Sequence, residues 1–191
     1  MQEIILASGS PRRRELLARE GIPFRVIVSH ADEHISETDP NAYVETLAKR
    51  KAESVAENVK EDAVVLGADT IVCVDREILG KPVDEEEAKA MIRKIRGRAH
   101  EVVTGVALIR KRGEETEERV FSCTTYVHVR PMTEEEVEAY IAVGESMDKA
   151  GAYAIQGAFG AYIDRFEGDY DNVIGLPVTA VKEALKEWEL K

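Results

Sequence analysis

The sequence predicts an α/β protein with a mixed central sheet. Helical and strand-like segments alternate along the chain, which is typical of a sheet covered by helices. Two long strand-like segments, 101–111 and 117–129, are joined only by a short turn at 112–114, and such a connection suits antiparallel neighbours. A mixed sheet is therefore favoured over an all-parallel one.

The first half of the chain alternates short apolar runs with two capped helices. Ser10 and Asp39 are good N-caps, and each is followed by a proline, which loses no hydrogen bond in the first helical turn. The helix after Ser10 is expected to stop near Gly21. Strands are predicted at 4–7, 23–28, 63–68, 71–74 and 78–79. The break between the third and fourth of these is placed at Asp69 and Thr70.

The rest of the chain contains three helix start signals. Two capping boxes, Asp84 with Glu87 and Thr133 with Glu136, predict helices that end near residues 95 and 144. The segment 148–160 is rich in Gly and Ala, 161–166 is strand-like, and 167–172 is a polar turn. Pro177 predicts a last helix that continues to the C-terminus.

The composition indicates a globular protein and argues against non-specific nucleic-acid binding. The 191 residues are 44% hydrophobic and 33% charged, which allows one sizeable core. The net charge is −11, whereas binding to nucleic acid needs a basic footprint. No signal peptide and no membrane-length apolar run are visible, so we expect a cytoplasmic protein that binds neither nucleic acid nor membrane.

The loop after the first strand is a candidate phosphate-binding site. Ser8, Gly9 and Ser10 form a small-residue turn at a helix start, where free backbone amides attract anions. The helix dipole contributes only about 0.3–1 kcal/mol. Arg12 and Arg13 add charge-assisted hydrogen bonds of roughly 1.5–3 kcal/mol each. The alternative is an ordinary strand–turn–helix with a solvated basic face.

Acidic residues supply candidates for catalysis and metal binding. Asp69 is placed at the end of a buried strand, where ligands of α/β sheets gather. The alternative is an aspartate that caps the next turn through Thr70. Asp32 and Glu33 lie in an acidic loop that offers ligands for a divalent metal or is simply solvated.

Three further stretches carry weaker signals. Lys81 is held between Gly80 and Pro82 and could reach a phosphate, or it is a plain turn lysine. Gln156 lies in a small-residue stretch and has the donor and acceptor needed to read a base edge, although tight loop packing explains that stretch equally well. Residues 172–177 could present backbone donors at another helix start.

The histidines and cysteines suggest no metal or disulfide framework. His30 and His34 have the spacing of a zinc pair only if their segment is helical, and the surrounding residues favour a loop. Cys73 and Cys123 lie in apolar strand-like runs and are interpreted as buried free thiols.

Five stretches together resemble the Maf family of nucleoside triphosphate pyrophosphatases. They are 6–17 (LASGSPRRRELL), 67–72 (GADTIV), 79–82 (LGKP), 147–157 (MDKAGAYAIQG) and 172–177 (NVIGLP). The resemblance extends over nearly the whole chain. It implies one domain over residues 1–191, with two lobes around a central cleft and an elongated sheet similar to that of the inosine triphosphate pyrophosphatases.

The resemblance also implies roles for residues. The family's catalytic acid corresponds to Asp69, its phosphate-loop serine and arginine to Ser10 and Arg13, and its acidic metal-associated residue to Glu33. Its phosphate-side lysines correspond to Lys51 and Lys81. The branch that acts on dTTP and UTP carries Arg, Thr and Gln at three specificity positions. Those residues are found here at the following positions: Arg12, Thr70 and Gln156.

The expected activity is therefore hydrolysis of dTTP and UTP with Mg²⁺ or Mn²⁺, which Asp69 and Glu33 would bind. Ser8, Gly9, Ser10, Arg13, Lys51 and Lys81 would bind phosphates, and a homodimer is expected by the resemblance alone. Two alternatives stay open at this point. One is a pyrophosphatase that removes non-canonical purine triphosphates, and the other is a nucleotide-binding regulator of septum formation.

Overall fold

The computed structural model describes residues 3–189, and its centre is a seven-stranded mixed sheet. The strand order is β2-β1-β3-β5-β6-β7, with β4 paired to β3 beside this path. β1 is parallel to β2 and β3, and all other neighbours are antiparallel. The predicted mixed sheet is confirmed. The strands are β1 Ile4–Leu6, β2 Phe24–Val26, β3 Ala63–Val74, β4 Glu77–Leu79, β5 Ala99–Arg112, β6 Glu115–Val129 and β7 Ile163–Glu167.

Capping residues start the helices where the sequence predicts. The Ser10 hydroxyl accepts from the Arg13 amide at 3.5 Å, and Thr133 with Glu136 forms a complete capping box. Asp84 also accepts from the Glu87 amide, but the Glu87 carboxylate accepts from the Val83 amide, so this box is displaced by one residue. The helices are α1 Pro11–Arg19, α2 Pro40–Ala56, α3 Glu85–Ile95, α4 Glu134–Ala142, α5 Tyr170–Ile174 and α6 Val178–Glu189.

The predicted break at Asp69 and Thr70 is wrong, because β3 is one continuous strand of twelve residues. Its pairing with β5 continues without interruption through Asp69 opposite Gly105 and Thr70 opposite Thr104. An aspartate disfavours a strand locally, but eleven paired positions along β5 override that preference. Asp69 therefore lies inside a strand and not at its end.

Other differences concern short segments. Residues 170–174 form the helix α5, where a polar turn is predicted, because five residues are too few for a helical periodicity to be seen. The Gly/Ala-rich stretch contains two 3-10 helices, Ala150–Ala152 and Ala158–Tyr162. The predicted continuation of α6 to the C-terminus concerns residues 190 and 191, which lie outside the described residues.

Two glycines let α2 lie unusually close to the sheet. A Cβ atom added to Gly67 on β3 would be 2.7 Å from the Ala52 nitrogen and closer still to the Ala48 carbonyl oxygen. A Cβ atom on Gly105 of β5 would be 2.7 Å from the Glu45 nitrogen. Neither residue tolerates a side chain without movement of the helix. This contact fixes the position of Lys51, one residue before Ala52.

Separate hydrophobic cores lie at the two ends of β3. Val64 and Leu66 pack with α1 and α6, whereas Val72 and Val74 pack with α3 and α4. On the opposite face, Val65 packs against α2. In the described part of the chain, no helix is long and apolar enough to cross a membrane.

A notch in the sheet lies between the two cores. On one side β3 pairs with β5 from Ala63 to Cys73. On its other side it pairs with β1 only at Val64–Leu66 and with β4 only at Val72–Val74. Positions 67–71 therefore have no strand neighbour on that side. The notch exposes the middle of β3, which carries Asp69 and Thr70.

Candidate active site

A cleft of about 580 Å³ opens at the notch. Its volume is typical of a site for a nucleotide-sized ligand. Both hydrophobic cores contribute to its walls. Ile174 belongs to the core that packs with α1 and α6, and Tyr153 belongs to the core that packs with α3 and α4. The cleft is lined by all but one of the predicted site residues, namely Ser8, Ser10, Arg12, Arg13, Glu33, Lys51, Asp69, Thr70, Lys81 and Gln156.

The exception is Gly9, which lies outside the lining. It is exposed, and its carbonyl oxygen accepts from Arg14 at 3.4 Å. The Ser8 hydroxyl, by contrast, is buried at the base of the loop and accepts from the Ser10 amide at 3.2 Å. Part of the predicted anion site is therefore used to hold the loop together.

Arg13 ties the loop to the rest of the cleft. Its Nε donates to the Gly175 carbonyl at 2.8 Å, Nη1 to the Ser8 hydroxyl at 3.1 Å, and Nη2 to the Thr70 hydroxyl at 3.1 Å. Burial lowers the pKa of this guanidinium from its ordinary value, although Asp69 opposes the effect. A guanidinium has five N–H groups, so some remain for a ligand.

Arg12 and Lys81 are the cations of the cleft without a hydrogen-bonded or ion-paired partner in the described part of the chain, although the Arg12 charge helps to lower the pKa of Asp148. Within residues 3–189, neither side chain forms a hydrogen bond or an ion pair, whereas Lys51 and Lys149 are both paired. Arg12 belongs to α1 on one side of the notch, and Lys81 follows β4 on the other. An anion bound between them would form an ion pair with both side chains.

Lys51 joins the two predicted metal ligands. Its Nζ donates to Asp69 Oδ1 at 2.6 Å and lies 3.0 Å from Glu33 Oε1. The Lys51 and Asp69 side chains are only 13% and 15% exposed, so each charge needs the other. Glu33 is largely exposed on its loop. The close contact of α2 with Gly67 brings this lysine to the notch.

The carboxylates of the cleft suit a divalent cation that is bound together with a substrate. No group of three or more His, Cys, Asp or Glu side chains within residues 3–189 could hold a metal alone. Mg²⁺, however, usually binds through one or two carboxylates together with substrate phosphates. Asp69 and Glu33, which share one ammonium group, fit that second mode.

The segment with Gln156 is held from behind. Gln156 itself is exposed and makes no hydrogen bond with residues 3–189. The Glu145 carboxylate accepts from the Ala158 amide at 2.9 Å, and the Tyr140 hydroxyl donates to the Ala152 carbonyl at 3.0 Å. Gly151, at φ +67°, packs against Val72 without room for a side chain. Both features of this stretch are therefore present: its backbone is tightly packed, and the side-chain amide of Gln156 is exposed at the cleft.

Residues 172–177 do not provide the predicted backbone donors. The amides of Gly175 and Leu176 both donate to the Asp171 carbonyl at 3.0 Å. Asn172 is buried, and its Nδ2 donates to the Val102 carbonyl and the Thr125 hydroxyl. Because these amides are already bonded, the segment presents the Gly175 carbonyl, which is an acceptor.

Sequence reasoning missed several residues at the cleft. Asp148 and Lys149 line it and pair with each other at 2.6 Å, and Lys149 lowers the pKa of that carboxyl. They lie within the stretch 147–157, so the signal was present. Tyr43 on α2 is half-buried, and burial together with the Asp69 charge raises its pKa. Thr104 is buried beneath Thr70 and gives no sequence signal.

The histidine and cysteine hypotheses have different outcomes. His30 and His34 lie in an irregular segment, so the helical condition for a zinc pair is not met. Both thiols are free, but only Cys73 is buried; Cys123 is half-buried, which corrects the prediction for that residue. Burial raises the pKa of each thiol.

Comparisons with known proteins agree on one family. Residues 3–188 match the family model described as Maf-like protein. The dTTP/UTP pyrophosphatase of Symbiobacterium thermophilum is 50% identical over 98% of this chain and 95% of the relative. That of Bacillus cereus is 48% identical over 100% of this chain and 97% of the relative. That of Lachnoclostridium phytofermentans is 46% identical over 98% and 96%.

A solved structure resembles the chain more distantly. The Ham1 protein of Staphylococcus aureus is 18% identical, with a TM-score of 0.46, and the match covers 67% of this chain and 72% of that chain.

Proposed function

The chain belongs to the family of Maf-like proteins, and from this premise we propose that it is a pyrophosphatase that hydrolyses dTTP and UTP to the monophosphate and pyrophosphate. The observation that carries the proposal is one cleft lined by an aspartate that is paired with Lys51 and by two cations, Arg12 and Lys81, from opposite sides of the notch. A carboxylate that can act as a base and cations that can bind a polyanion are thus present in the same cleft. Several relatives at 45–50% identity carry that activity in their names.

The cations bind and orient the triphosphate. Arg12 and Lys81 approach it from opposite sides, and Arg13 on α1, which also lines the cleft, has N–H groups left to donate to it. Each such hydrogen bond contributes roughly 1.5–3 kcal/mol, because the donors are charged. As pyrophosphate leaves, these positive charges neutralise the charge that develops on it.

Asp69 accepts a proton from the attacking water. Lys51 holds Oδ1 at 2.6 Å, and Oδ2 has no partner among residues 3–189, so that oxygen is the one available to the water. Lys51 thereby fixes the rotation of the carboxylate relative to the phosphorus. Attack on the α-phosphorus, opposite the leaving pyrophosphate, gives the monophosphate.

We propose Mg²⁺ or Mn²⁺ as the cofactor, held by Asp69 and Glu33. When bound, such an ion withdraws charge from phosphate oxygens as a Lewis acid. The proposal is supported by the two carboxylates that share the Lys51 ammonium. Release of pyrophosphate with and without a chelator tests it, and equal rates would contradict it.

Thr70 and Gln156 are proposed to read the base, with Arg12 beside them. All three line the cleft. Gln156 is exposed, with its donor and acceptor both free within the described residues, as reading a pyrimidine edge requires.

A substrate panel tests the function. Pyrophosphate release is measured from dTTP, UTP, CTP, GTP, ITP and 7-methyl-GTP. We expect dTTP and UTP to react fastest, and Asp69→Asn to abolish turnover while nucleotide binding persists in calorimetry. Asp75→Asn, in an exposed turn, is the matched control. Release led by ITP, normal activity of Asp69→Asn, or no release at all would each overturn the proposal.

We also propose a homodimer, which the resemblance alone suggests, in the cytoplasm and not bound to a membrane. The net charge of −11 supports the further proposal that it does not bind nucleic acid. Sedimentation velocity tests the dimer, and a monomer at micromolar concentration would contradict it.

A further inference from the structure

A chain of hydroxyl groups lies directly beneath the cleft. The Thr70 hydroxyl, which lines the cleft, is 2.9 Å from the hydroxyl of Thr104 on the neighbouring strand β5. Thr104 is fully buried and donates to the Asn172 carbonyl at 3.0 Å. From the other side, Arg13 donates to Thr70 at 3.1 Å.

The hydrogen-bond donor and acceptor of each hydroxyl group can be assigned. A hydroxyl has one proton to donate and two lone pairs to accept with. Thr104 gives its proton to the Asn172 carbonyl, which can only accept. The proton between the two threonines must then come from Thr70. One lone pair of Thr70 accepts from Arg13, and one remains for the cleft.

A second assignment leads to the same restriction. The Gly175 carbonyl is 3.4 Å from the Thr70 hydroxyl and could take its proton, with Thr104 donating to Thr70 instead. This arrangement uses a longer hydrogen bond and leaves the one from Thr104 to Asn172 unmade. In both cases the Thr70 proton stays within the protein, so Thr70 cannot donate to a ligand. Only the first arrangement, with the shorter hydrogen bonds, leaves Thr70 a lone pair with which to accept, because the second uses both lone pairs for Arg13 and Thr104.

We propose that Thr104 is a positioning residue for substrate choice, which it exerts by keeping the Thr70 hydroxyl an acceptor. The ligand must then present a hydrogen-bond donor to Thr70. Uracil and thymine carry an N–H at ring position 3, whereas cytosine carries an unprotonated acceptor nitrogen there. The imide N–H is the donor that we assign to Thr70. This inference rests on the proposed function, and it explains why the enzyme would reject CTP.

The decisive variant is Thr104→Val, which keeps the shape and removes the hydroxyl. The Asn172 carbonyl still accepts from the Gly175 amide at 3.1 Å, so no buried acceptor is left alone. The freed Thr70 proton can then turn toward cytosine, because its remaining protein acceptor, the Gly175 carbonyl, is 3.4 Å away and already accepts from Arg13. We expect the ratio of kcat/KM for UTP over CTP to fall about tenfold, which is the worth of one hydrogen bond, with most of the change in CTP.

Two matched variants separate positioning from structure. Thr104→Ser restores a hydroxyl and should keep the wild-type ratio. Thr125→Val removes another buried threonine hydroxyl, which donates to the Asp169 carbonyl at 2.8 Å, accepts from Asn172 Nδ2 at 3.1 Å and does not contact Thr70. Asn172 Nδ2 keeps its hydrogen bond to the Val102 carbonyl, so this variant also controls for a disturbance of Asn172. It should also keep the ratio. An unchanged ratio in Thr104→Val, or an equal fall in Thr125→Val, would overturn the assignment.

A measurement on the wild-type enzyme does not depend on any variant folding. 3-Methyl-UTP lacks the imide proton, and we expect its kcat/KM to be about 100-fold below that of UTP. Equal hydrolysis of both, with loss of activity on 3′-deoxy-UTP, would place a sugar hydroxyl at Thr70 and refute the imide. Wild-type enzyme that releases no pyrophosphate from UTP or dTTP instead refutes the proposed function itself.

Discussion

Substitution of Gly67 by alanine tests whether the close contact of α2 with β3 positions the site. The added Cβ would be 2.7 Å from the Ala52 nitrogen and nearer to the Ala48 carbonyl oxygen. Because both are backbone atoms, no rotamer change relieves the clash, and α2 must retreat by roughly 1 Å. Lys51 moves with it, away from Asp69.

The cost divides into stability and activity. Overpacking of this kind costs about 1–3 kcal/mol, and alanine restores roughly 0.4–1 kcal/mol by restricting the unfolded chain. A protein of this size loses about 2–4 °C in Tm for each kcal/mol, so we expect a fall of up to roughly 10 °C. A displacement near 1 Å in a catalytic site lowers turnover by about 100-fold.

Thermal unfolding and pyrophosphate release from UTP measure both effects. Gly80→Ala is the control, because a Cβ added there has no atom within 4 Å. It should match the wild type in both assays. If Gly67→Ala keeps the wild-type Tm and kcat, the glycine contact does not position Lys51. If Tm falls and kcat does not, the contact is structural only.

Three further predictions follow from other parts of the molecule. Burial lowers the pKa of His100 to about 4, from 6.5, and the folded ring therefore resists a proton that the unfolded chain accepts. The contribution of His100 to the free energy of unfolding should be intact above about pH 6.5 and fall as the pH drops from there toward 4, by at most roughly 3 kcal/mol. Urea unfolding at pH 7.5 and 5 checks this. An equal fall in stability in His100→Gln would contradict it. Lys81→Gln removes an unpaired cation from the cleft, so KM for UTP should rise about tenfold and become less sensitive to salt; a salt dependence equal to that of the wild type would exclude a phosphate contact. Glu145→Ala frees the Ala158 amide behind Gln156, and we expect KM for UTP to rise severalfold while Tm falls by less than about 5 °C; an unchanged KM would mean that Glu145 does not hold this segment.

The sequence predicts those features that depend on local chemistry. Ser10, Asp39 and Thr133 start helices by bonding to amides within three residues, so a short window contains all the information. The long hairpin of β5 and β6 is likewise visible, because its two runs are separated by a tight turn. Nine of the eleven predicted site residues lie in short motifs; of the other two, Glu33 lies in the acidic loop and Lys51 is suggested only by the family resemblance. Ten of the eleven line the cleft, and Gly9 is the exception.

Features that depend on distant contacts could not be predicted from the residues. Asp69 interrupts an apolar run, and only the register with β5 shows that the strand continues through it. The ion pair of Lys51 with Asp69 requires α2 to lie against two glycines far apart in sequence. Thr104 lies within a long strand, and its importance arises solely from what faces it across the sheet.

The continuity of β3 has a mechanical consequence. A sheet bends most easily where it is narrowest, and at positions 67–71 β3 has lost its neighbour on one side. If the two cores move relative to each other, we therefore expect the motion to pivot about this stretch, where atoms move least. Asp69 and Thr70 lie there, while Arg12 and Lys81 lie on opposite arms. Such a motion would change the distance between Arg12 and Lys81 while the Asp69 carboxylate stays in place.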